Sequence, residues 1–265
     1  MKYLLGFIGC GNMGGALVKA AAKSVDGSQI ALCDYDENKA RALAKAVGSD
    51  VLSACELVKN SRFIVLGVKP QNMQETVAQF ADVLKARDDA IVITMAAGLS
   101  IAGLRKYIGA DVPVIRIMPN TPALVGEGMI IYDCNGVSPS DEQAFLNSFA
   151  KAGELDKLNE SLIDAASALS GCGPAFVYAF AIALTKGAED IGVPKEKAEK
   201  YAAQTLRGAA KMLLEYGDAE GLKKAVCSPG GTTLAGLAAM DEDGFSSVVE
   251  KGVKAAYKRT LELKK

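Results

Sequence analysis

A glycine-rich run near the N-terminus has the residue types and spacing best suited to chemistry. It reads Gly9-Cys10-Gly11-Asn12-Met13-Gly14. The run joins the apolar residues 4–8 to a predicted helix over residues 12–23. In such a turn the first glycine permits a tight bend, the second lets backbone amides approach a pyrophosphate, and the third lets the helix pack against the sheet. Asp34 ends a second predicted strand, where an acid binds ribose hydroxyls. We therefore predict a dinucleotide site, with the positive end of the helix directed at the phosphates.

Three loops that follow predicted strands add candidate ligand groups, because ligands of parallel sheets bind outside the carboxyl ends of the strands. The loops contribute Val68, Lys69 and Pro70, then Ala96, Ala97 and Gly98, and then Asn120. Lys69 places a cation near the nicotinamide side of the crevice, although a solvated lysine is the alternative interpretation. The small residues 96–100 suit a flat cofactor ring, or else a tight turn capped by Ser100. Asn120 is a candidate ligand for the ribose or carboxamide, whereas Arg116 is predicted to pack structurally.

Two glycine-rich breaks interrupt the second half of the chain. Residues 170–176 include two glycines, each about 1 kcal/mol less favourable than alanine within a helix, which indicates a kink or a ligand contact. The second break reads Cys227-Ser228-Pro229-Gly230-Gly231-Thr232-Thr233. It presents free backbone amides and hydroxyls just before a predicted helix. This arrangement predicts an anion site suited to a carboxylate.

The elements that must position these residues fall into two halves. Strands are predicted at Tyr3–Ile8, Ile30–Cys33, 63–68, 91–95 and Val114–Met118, with shorter ones near 128–132 and 154–155. They alternate with helices, which is typical of a parallel sheet with crossover helices. From about residue 160 the pattern is helical, with helices predicted over 175–191, 195–216, 222–226, 233–240 and 244–263. We predict an α/β fold, in which a Rossmann-type doubly wound sheet (residues 1–160) precedes an all-helical dimerisation domain (residues 161–265).

The predicted helix over residues 175–191 is apolar on nearly every side, so protein or lipid must surround it. Its apolar run is shorter than the roughly 20 residues that span a bilayer, and charged residues follow at once. We favour burial between two subunits, because the helical half has few other elements to cover it. An ordinary core helix of a monomer is the alternative. No membrane association is predicted.

Composition excludes several classes of function. The chain has 265 residues with 30 Lys+Arg and 31 Asp+Glu, so it offers no broad field for nucleic acid or an anionic membrane. It contains no histidine, which excludes a Ser-His-Asp triad and any imidazole acid or base. Its six cysteines lack a C-x-x-C pair, which fits neither a metal site nor a disulfide framework. With no signal-peptide pattern, these features predict a cytoplasmic location.

Five motifs carry a resemblance across nearly the whole chain. In order they are G-x-G-N-M-G, V-K-P, R-x-M-P-N-T-P, S-G-x-G-P-A-F and S-P-G-G-T-T. Together they resemble the pyrroline-5-carboxylate reductase family, and the last two are what generic NAD(P) proteins lack. The resemblance implies the reduction of L-1-pyrroline-5-carboxylate to L-proline, with NADPH or NADH as cofactor. It also implies a helical dimerisation domain and dimers that can assemble into a larger ring, often a decamer.

The resemblance also implies roles for individual residues. The substrate is expected at Met118, Ser228, Gly230, Gly231, Thr232 and Thr233, and the cofactor at the glycine-rich run and the strand-end loops. Thr233 supplies the hydroxyl nearest the ring nitrogen, and Lys69 orders water or the cofactor rather than acting as the acid. The protonated imine is already electrophilic, so a site without histidine suffices.

Two departures from the family pattern concern charge. Many members have Arg or Ser after the second strand, where this chain has Asp34-Tyr35-Asp36. An acid there favours NADH, but Lys39 and Arg41 lie close enough in sequence to leave the preference open. Lys223-Lys224-Ala225 stands where the family often has an acid before Cys227. Any substrate contact or ion pair made there in relatives is therefore in doubt.

Three alternatives remain open at this point. A β-hydroxyacid dehydrogenase would use a lysine of the helical domain, for which Lys186 is the candidate, but it would leave S-P-G-G-T-T unexplained. A dinucleotide-sensing dimer would bind the cofactor without turnover. A third interpretation treats the later glycine motifs as breaks between helices and nothing more.

Overall fold

The computed structural model describes residues 1–262, which form a mixed sheet followed by a helical region. The strands are β1 (Tyr3–Ile8), β2 (Ile30–Cys33), β3 (Asp50–Val51), β4 (Ser61–Leu66), β5 (Ile91–Thr94), β6 (Val114–Met118), β7 (Gly128–Asn135) and β8 (Gly153–Lys157). The helices of the first half are α1 (Asn12–Ala21), α2 (Glu37–Val47), α3 (Ala54–Asn60), α4 (Met73–Ala78), α5 (Ala81–Lys85), α6 (Ile101–Ile108), α7 (Pro139–Phe149) and α8 (Glu160–Ser170). Those that follow are α9 (Gly173–Asp190), α10 (Lys195–Tyr216), α11 (Ala219–Ala225), α12 (Thr232–Glu242) and α13 (Phe245–Glu262). The predicted extension of the last helix to residue 263 lies outside the described residues.

The strand order confirms the predicted Rossmann-type fold. The order is β3-β2-β1-β4-β5-β6-β7-β8, and β1 pairs in parallel with both β2 and β4. From β1 the chain adds β2 and β3 on one side of the sheet, and it then returns to add β4 on the other side of β1. The strand order therefore reverses between the neighbours β1 and β4. In open α/β sheets this reversal creates the crevice in which ligands bind.

One strand pair departs from the parallel arrangement. β6 and β7 are antiparallel, with Met118 opposite Ile131, whereas β7 and β8 are parallel. Only residues 119–127 separate β6 from β7, and they hold the short 3₁₀ turn Thr121–Val125. A parallel crossover needs about a dozen residues or more, so a link of this length returns the chain antiparallel. The two-residue strand β3 was not predicted, because it is too short to show a period.

Alternation along the strands divides the core into two layers. Leu5 and Phe7 of β1 pack on the side of α1, α2 and α7, and Ile64 and Leu66 of β4 pack on the side of α3 to α6. Strands that are covered by helices on both faces consist of nearly continuous runs of Ile, Val and Leu, and the strands of this sheet have such sequences. The apolar runs that predicted the strands therefore result from helices on both sides.

The described chain divides into two compact units. The first comprises Met1–Cys172 with the segment from Ala256, and the second comprises Gly173–Ala255. Helix α8, which follows the predicted boundary at residue 160, belongs to the first unit. Its Ile163 is fully buried against Met118 and Ile131 of the sheet. Packing on the sheet thus keeps this helix with the strands although its sequence pattern is helical.

A buried ion pair reinforces the packing of α8. The Arg116 Nη2 atom on β6 lies 2.5 Å from Asp164 Oδ1 on α8, and the two side chains are 2% and 3% exposed. Arg116 Nη1 also lies 3.5 Å from Glu160 Oε1. The prediction that Arg116 packs structurally is confirmed. A pair this deeply buried is costly to break, because without Asp164 the buried Arg116 keeps only its longer contact with Glu160.

We expect Asp164→Ala to lower the free energy of unfolding by about 3–5 kcal/mol, because Arg116 is then left charged and buried. Urea denaturation followed by circular dichroism measures the change. The control is Asp156→Ala on the exposed β8, which should stay within about 0.5 kcal/mol of the parent chain. Equal losses from both variants would contradict the role of the ion pair.

Candidate active site

Three glycines bring the ends of β1 and β4 and the start of α1 into backbone contact. Gly9 has φ +104°, and a Cβ there would lie 2.7 Å from the carbonyl carbon of Gly67. A Cβ at Gly14 would overlap the carbonyl oxygen of Gly9. The predicted roles of Gly9 in the tight turn and of Gly14 in helix packing follow from these contacts. Gly67 was not singled out from the sequence, although its place at the end of a strand was a usable signal.

The second glycine of the motif faces open space. Gly11 is exposed, and a Cβ built on it meets no atom within 4 Å. It is also the N-cap of α1, and no side chain caps that helix. The first amides of a helix have no partner within the helix, so those of Asn12 and Met13 remain for a ligand. An open backbone surface at a helix N-terminus fits the pyrophosphate of a dinucleotide.

Cys10 takes part through its backbone rather than its thiol. Its amide donates a hydrogen bond to Asp34 Oδ2 at 2.5 Å, which fixes Asp34 beside the glycine loop. Burial, together with the charge of Asp34 and the nearby Cys33, raises the pKa of the Cys10 thiol to about 12. The thiol therefore stays protonated at neutral pH and is a poor nucleophile.

The other strand-end loops lie at the same edge of the sheet. Residues 67–70 follow β4, where Val68 is partly buried and Lys69 and Pro70 are exposed. Ala96, Ala97 and Gly98 follow β5 and lead to α6. Because β4 and β5 are parallel neighbours, their carboxyl ends place both loops together. This is the edge at which the sequence predicted the cofactor.

Glu160 secures the second of these loops, and no local pattern pointed to it. Its Oε1 accepts a hydrogen bond at 2.6 Å from the amide of Ile101, the first residue of α6. Ser100 caps the same helix through Gly103, as the alternative for this turn predicted. The loop is thus tied by a carboxylate that lies 59 residues further along the chain.

The structure gives Met118 and Asn120 roles within the protein. Met118 is 8% exposed and packs in the core with Ile131 and Ile163. The Asn120 side chain accepts from the Met129 amide and donates to the Ser170 carbonyl oxygen. Its amide therefore joins β7 and the end of α8. The ligand contacts predicted for both residues stay predictions.

The second anion site lies in the second unit, at the start of α12. Ser228 to Gly231 form a turn that is closed by the Gly231 amide, which donates to the Ser228 carbonyl oxygen at 2.9 Å. Pro229 and Gly230, with φ +70° at Gly230, are what a type II turn requires at its two central positions. Gly231 is among the residues expected to bind the substrate, with its backbone amide as the donor. The turn uses it, because the carbonyl of Ser228 points back at it.

The free donors of this turn lie one residue further on. Gly231 is the N-cap of α12 and no side chain caps the helix, so the amides of Thr232 and Thr233 lack partners within it. Both threonines are exposed, and neither hydroxyl has a hydrogen-bond partner within residues 1–262. Amides and hydroxyls at a helix N-terminus bind carboxylates. Nearby, Lys223 pairs with Glu220 at 2.7 Å.

Both the N-terminal and the C-terminal half of the chain match known protein families. A family model described as pyrroline-5-carboxylate reductase dimerisation matches residues 160–263, and one described as NADP oxidoreductase, coenzyme F420-dependent, matches residues 4–98. Pyrroline-5-carboxylate reductase of Escherichia coli is 36% identical over 100% of both chains. The chain belongs to the pyrroline-5-carboxylate reductase family.

Solved structures of this family share the fold over the full length. A pyrroline-5-carboxylate reductase from Coxiella burnetii superposes with a TM-score of 0.90 at 29% identity, covering 100% of both chains. A Plasmodium falciparum pyrroline carboxylate reductase with NADP bound gives a TM-score of 0.87 at 28% identity, covering 99% of this chain and 98% of the other. As a member of this reductase family, the chain is an oxidoreductase that uses NAD(P)H. Membership favours this reading over the β-hydroxyacid dehydrogenase that would use Lys186 and over a sensor.

Membership in the reductase family also accounts for the exposed apolar helices. By length and composition, the described helical stretch over residues 160–190 could cross a membrane, with a mean hydropathy of 1.6 and 11% of its most apolar window buried. The dimerisation model covers this stretch. Self-association through this region supplies the apolar surface that the single chain lacks.

We expect Gly11→Ala and Gly14→Ala to fail in different ways. A methyl at Gly11 meets only open space, so stability should stay within about 0.5 kcal/mol while NADH and NADPH affinity falls by about tenfold or more. A methyl at Gly14 overlaps the carbonyl oxygen of Gly9, so the free energy of unfolding should fall by about 1–3 kcal/mol. Thermal melting and dinucleotide fluorescence titration measure the two effects. Normal cofactor affinity in a folded Gly11→Ala variant would contradict the pyrophosphate site.

Proposed function

We propose that each of the two helix N-termini described above binds one ligand of this reductase. The glycine loop at α1 binds NAD(P)H, and the turn at α12 binds the carboxylate of L-1-pyrroline-5-carboxylate. The chain reduces this cyclic imine to L-proline, the last step of proline biosynthesis. The observation that carries the proposal is the uncapped start of α12, where free amides and two free hydroxyls follow a rigid turn.

The substrate carboxylate is held by the amides of Thr232 and Thr233 and by the Ser228 hydroxyl. Charge-assisted hydrogen bonds of this kind are about twice as strong as those between neutral groups. Gly230 and Gly231 shape the turn so that these donors face one ligand. The Thr233 hydroxyl lies nearest the ring nitrogen, where it orients the protonated imine.

The cofactor's pyrophosphate is held by backbone amides rather than by charged side chains. The amides of Asn12 and Met13 bind the pyrophosphate, Asp34 binds the adenosine ribose, and the small loop 96–98 lies against the nicotinamide. When bound, NAD(P)H supplies the hydride that reduces the imine carbon. Asn120 and Lys69 complete the site, with Lys69 ordering water or the cofactor.

This chemistry needs no imidazole, which agrees with a chain that contains no histidine. The protonated imine is electrophilic, so the protein need not supply a strong acid. Holding the ring beside the nicotinamide turns a bimolecular encounter into an intramolecular step, and this can account for several kcal/mol of the barrier. Positioning by backbone amides is therefore the main contribution of the protein.

We expect Thr233→Ala to lower turnover of L-1-pyrroline-5-carboxylate by about tenfold or more, the effect of losing a hydrogen bond to a charged group. NADH and NADPH affinity should stay unchanged. Near-ultraviolet absorbance follows the loss of reduced nicotinamide, and proline is quantified as the product. The matched control is Thr205→Ala on the exposed face of α10. Reduced stability with full turnover in Thr233→Ala would favour a purely structural role, and no turnover by the parent chain would overturn the proposal.

We further propose a cytoplasmic homodimer whose dimers assemble into a decamer. Support comes from the dimerisation model over residues 160–263 and from apolar side chains such as Ile182 and Leu214, which are 69% and 87% exposed in the single chain. Six unpaired cysteines support a reducing compartment. Light scattering after size exclusion should give ten times the chain mass of 27.6 kDa. A mass of twice that value would limit the assembly to the dimer, and a monomer would contradict both.

A further inference from the structure

We infer that Asp34 makes this chain select NADH over NADPH, by binding the adenosine ribose hydroxyls and repelling a 2′-phosphate. The inference rests on the proposed cofactor site and assigns its specificity. The related Plasmodium falciparum structure holds NADP, so the fold itself accommodates the extra phosphate. The preference of one chain must therefore come from the residues that face that position.

Asp34 is placed and oriented by the backbone around it. It follows β2, the parallel neighbour of β1, at the edge of the sheet that carries the glycine loop. Its Oδ2 accepts from the Cys10 amide at 2.5 Å and its Oδ1 accepts from the Asp36 amide at 2.9 Å. Both carboxylate oxygens are thereby fixed, and each keeps further acceptor capacity. Two fixed acceptors match the two hydroxyls of a ribose.

In the first turn of α2, an acidic side chain already bonds one of the amides. The Asp36 side chain caps the helix by accepting from the Asn38 amide at 3.2 Å. Glu37 adds a third carboxylate within four residues. A phosphate on the ribose would bring additional negative charge against this acidic segment.

The two cations that left the preference open in the sequence are paired with these acids. Lys39 Nζ lies 3.6 Å from Asp36, and Arg41 Nη2 lies 2.5 Å from Glu37. The pairs are exposed and contribute little to stability. They do cancel the positive charges of Lys39 and Arg41, because each cation lies beside a carboxylate at the start of α2. Asp34 has no salt-bridge partner within residues 1–262, so its charge is the one that an incoming ligand meets.

The test compares dissociation constants of NADH and NADPH for the full chain, with displacement by 5′-AMP and 2′-AMP as a second readout. Because a charged hydrogen bond is lost and a repulsion gained, the parent chain should bind NADH about tenfold or more tighter than NADPH. Asp34→Asn, which keeps the size of the side chain, should bring this ratio to near one. The matched control Asp156→Asn makes the same chemical change on the exposed strand β8 and should leave the ratio within about threefold.

The measured ratio of the two dissociation constants can contradict the inference in two ways. NADPH binding as tight as NADH by the parent chain would overturn the inference, as would an equal shift from Asp156→Asn. If Asp34→Asn does not fold, the parent ratio and the preference for 5′-AMP over 2′-AMP still test the inference. Failure to bind either dinucleotide would overturn the cofactor site itself, and with it the proposed function.

Discussion

The close contact of Gly9, Gly14 and Gly67 is the constraint on which the cofactor side of the molecule depends. Three backbone segments meet where any side chain would separate them, so β1, α1 and β4 can approach only if all three positions are glycine. This approach sets the direction of α1 and leaves its first amides unpaired at the edge of the sheet. The anion site is therefore a consequence of packing, and its donors need no charged side chain to hold them in place.

A second set of interactions fixes the other side of the same edge. Arg116 and Asp164 hold α8 on the sheet, Glu160 ties the start of that helix to α6, and Asn120 ties its end to the loop after β6. These contacts join segments that lie about 40 to 60 residues apart in sequence. The loops at the strand ends are thus held by buried polar groups as well as by apolar packing. Hydrogen bonds between buried polar groups favour one arrangement over near alternatives.

Both candidate ligand sites use backbone amides at helix N-termini, which is consistent with the composition of the chain. A protein without histidine can still bind phosphates and carboxylates, because helix starts and turns supply donors from the main chain. Such donors do not titrate, so binding depends on the ligand's charge and on the few carboxylates nearby. Asp34 matters for this reason: its carboxylate, which has no salt-bridge partner within residues 1–262, adds a fixed negative charge beside ligand donors that are uncharged backbone amides.

The sequence by itself determined the alternation of strands and helices, the glycine motif and the S-P-G-G-T-T turn, because each rests on local rules of spacing and conformation. Gly9 adopts the positive φ angle that a tight turn after the first strand requires, as the sequence predicted. Tertiary structure alone decided the attachment of α8 to the sheet and the roles of Glu160, Asn120 and Met118. Each of these depends on partners far away in the chain, and periodicity carries no information about distant partners. The same holds for Asp34. Its place in the sequence was a known signal, but its contact with the Cys10 amide forms only when β1 and β2 lie side by side.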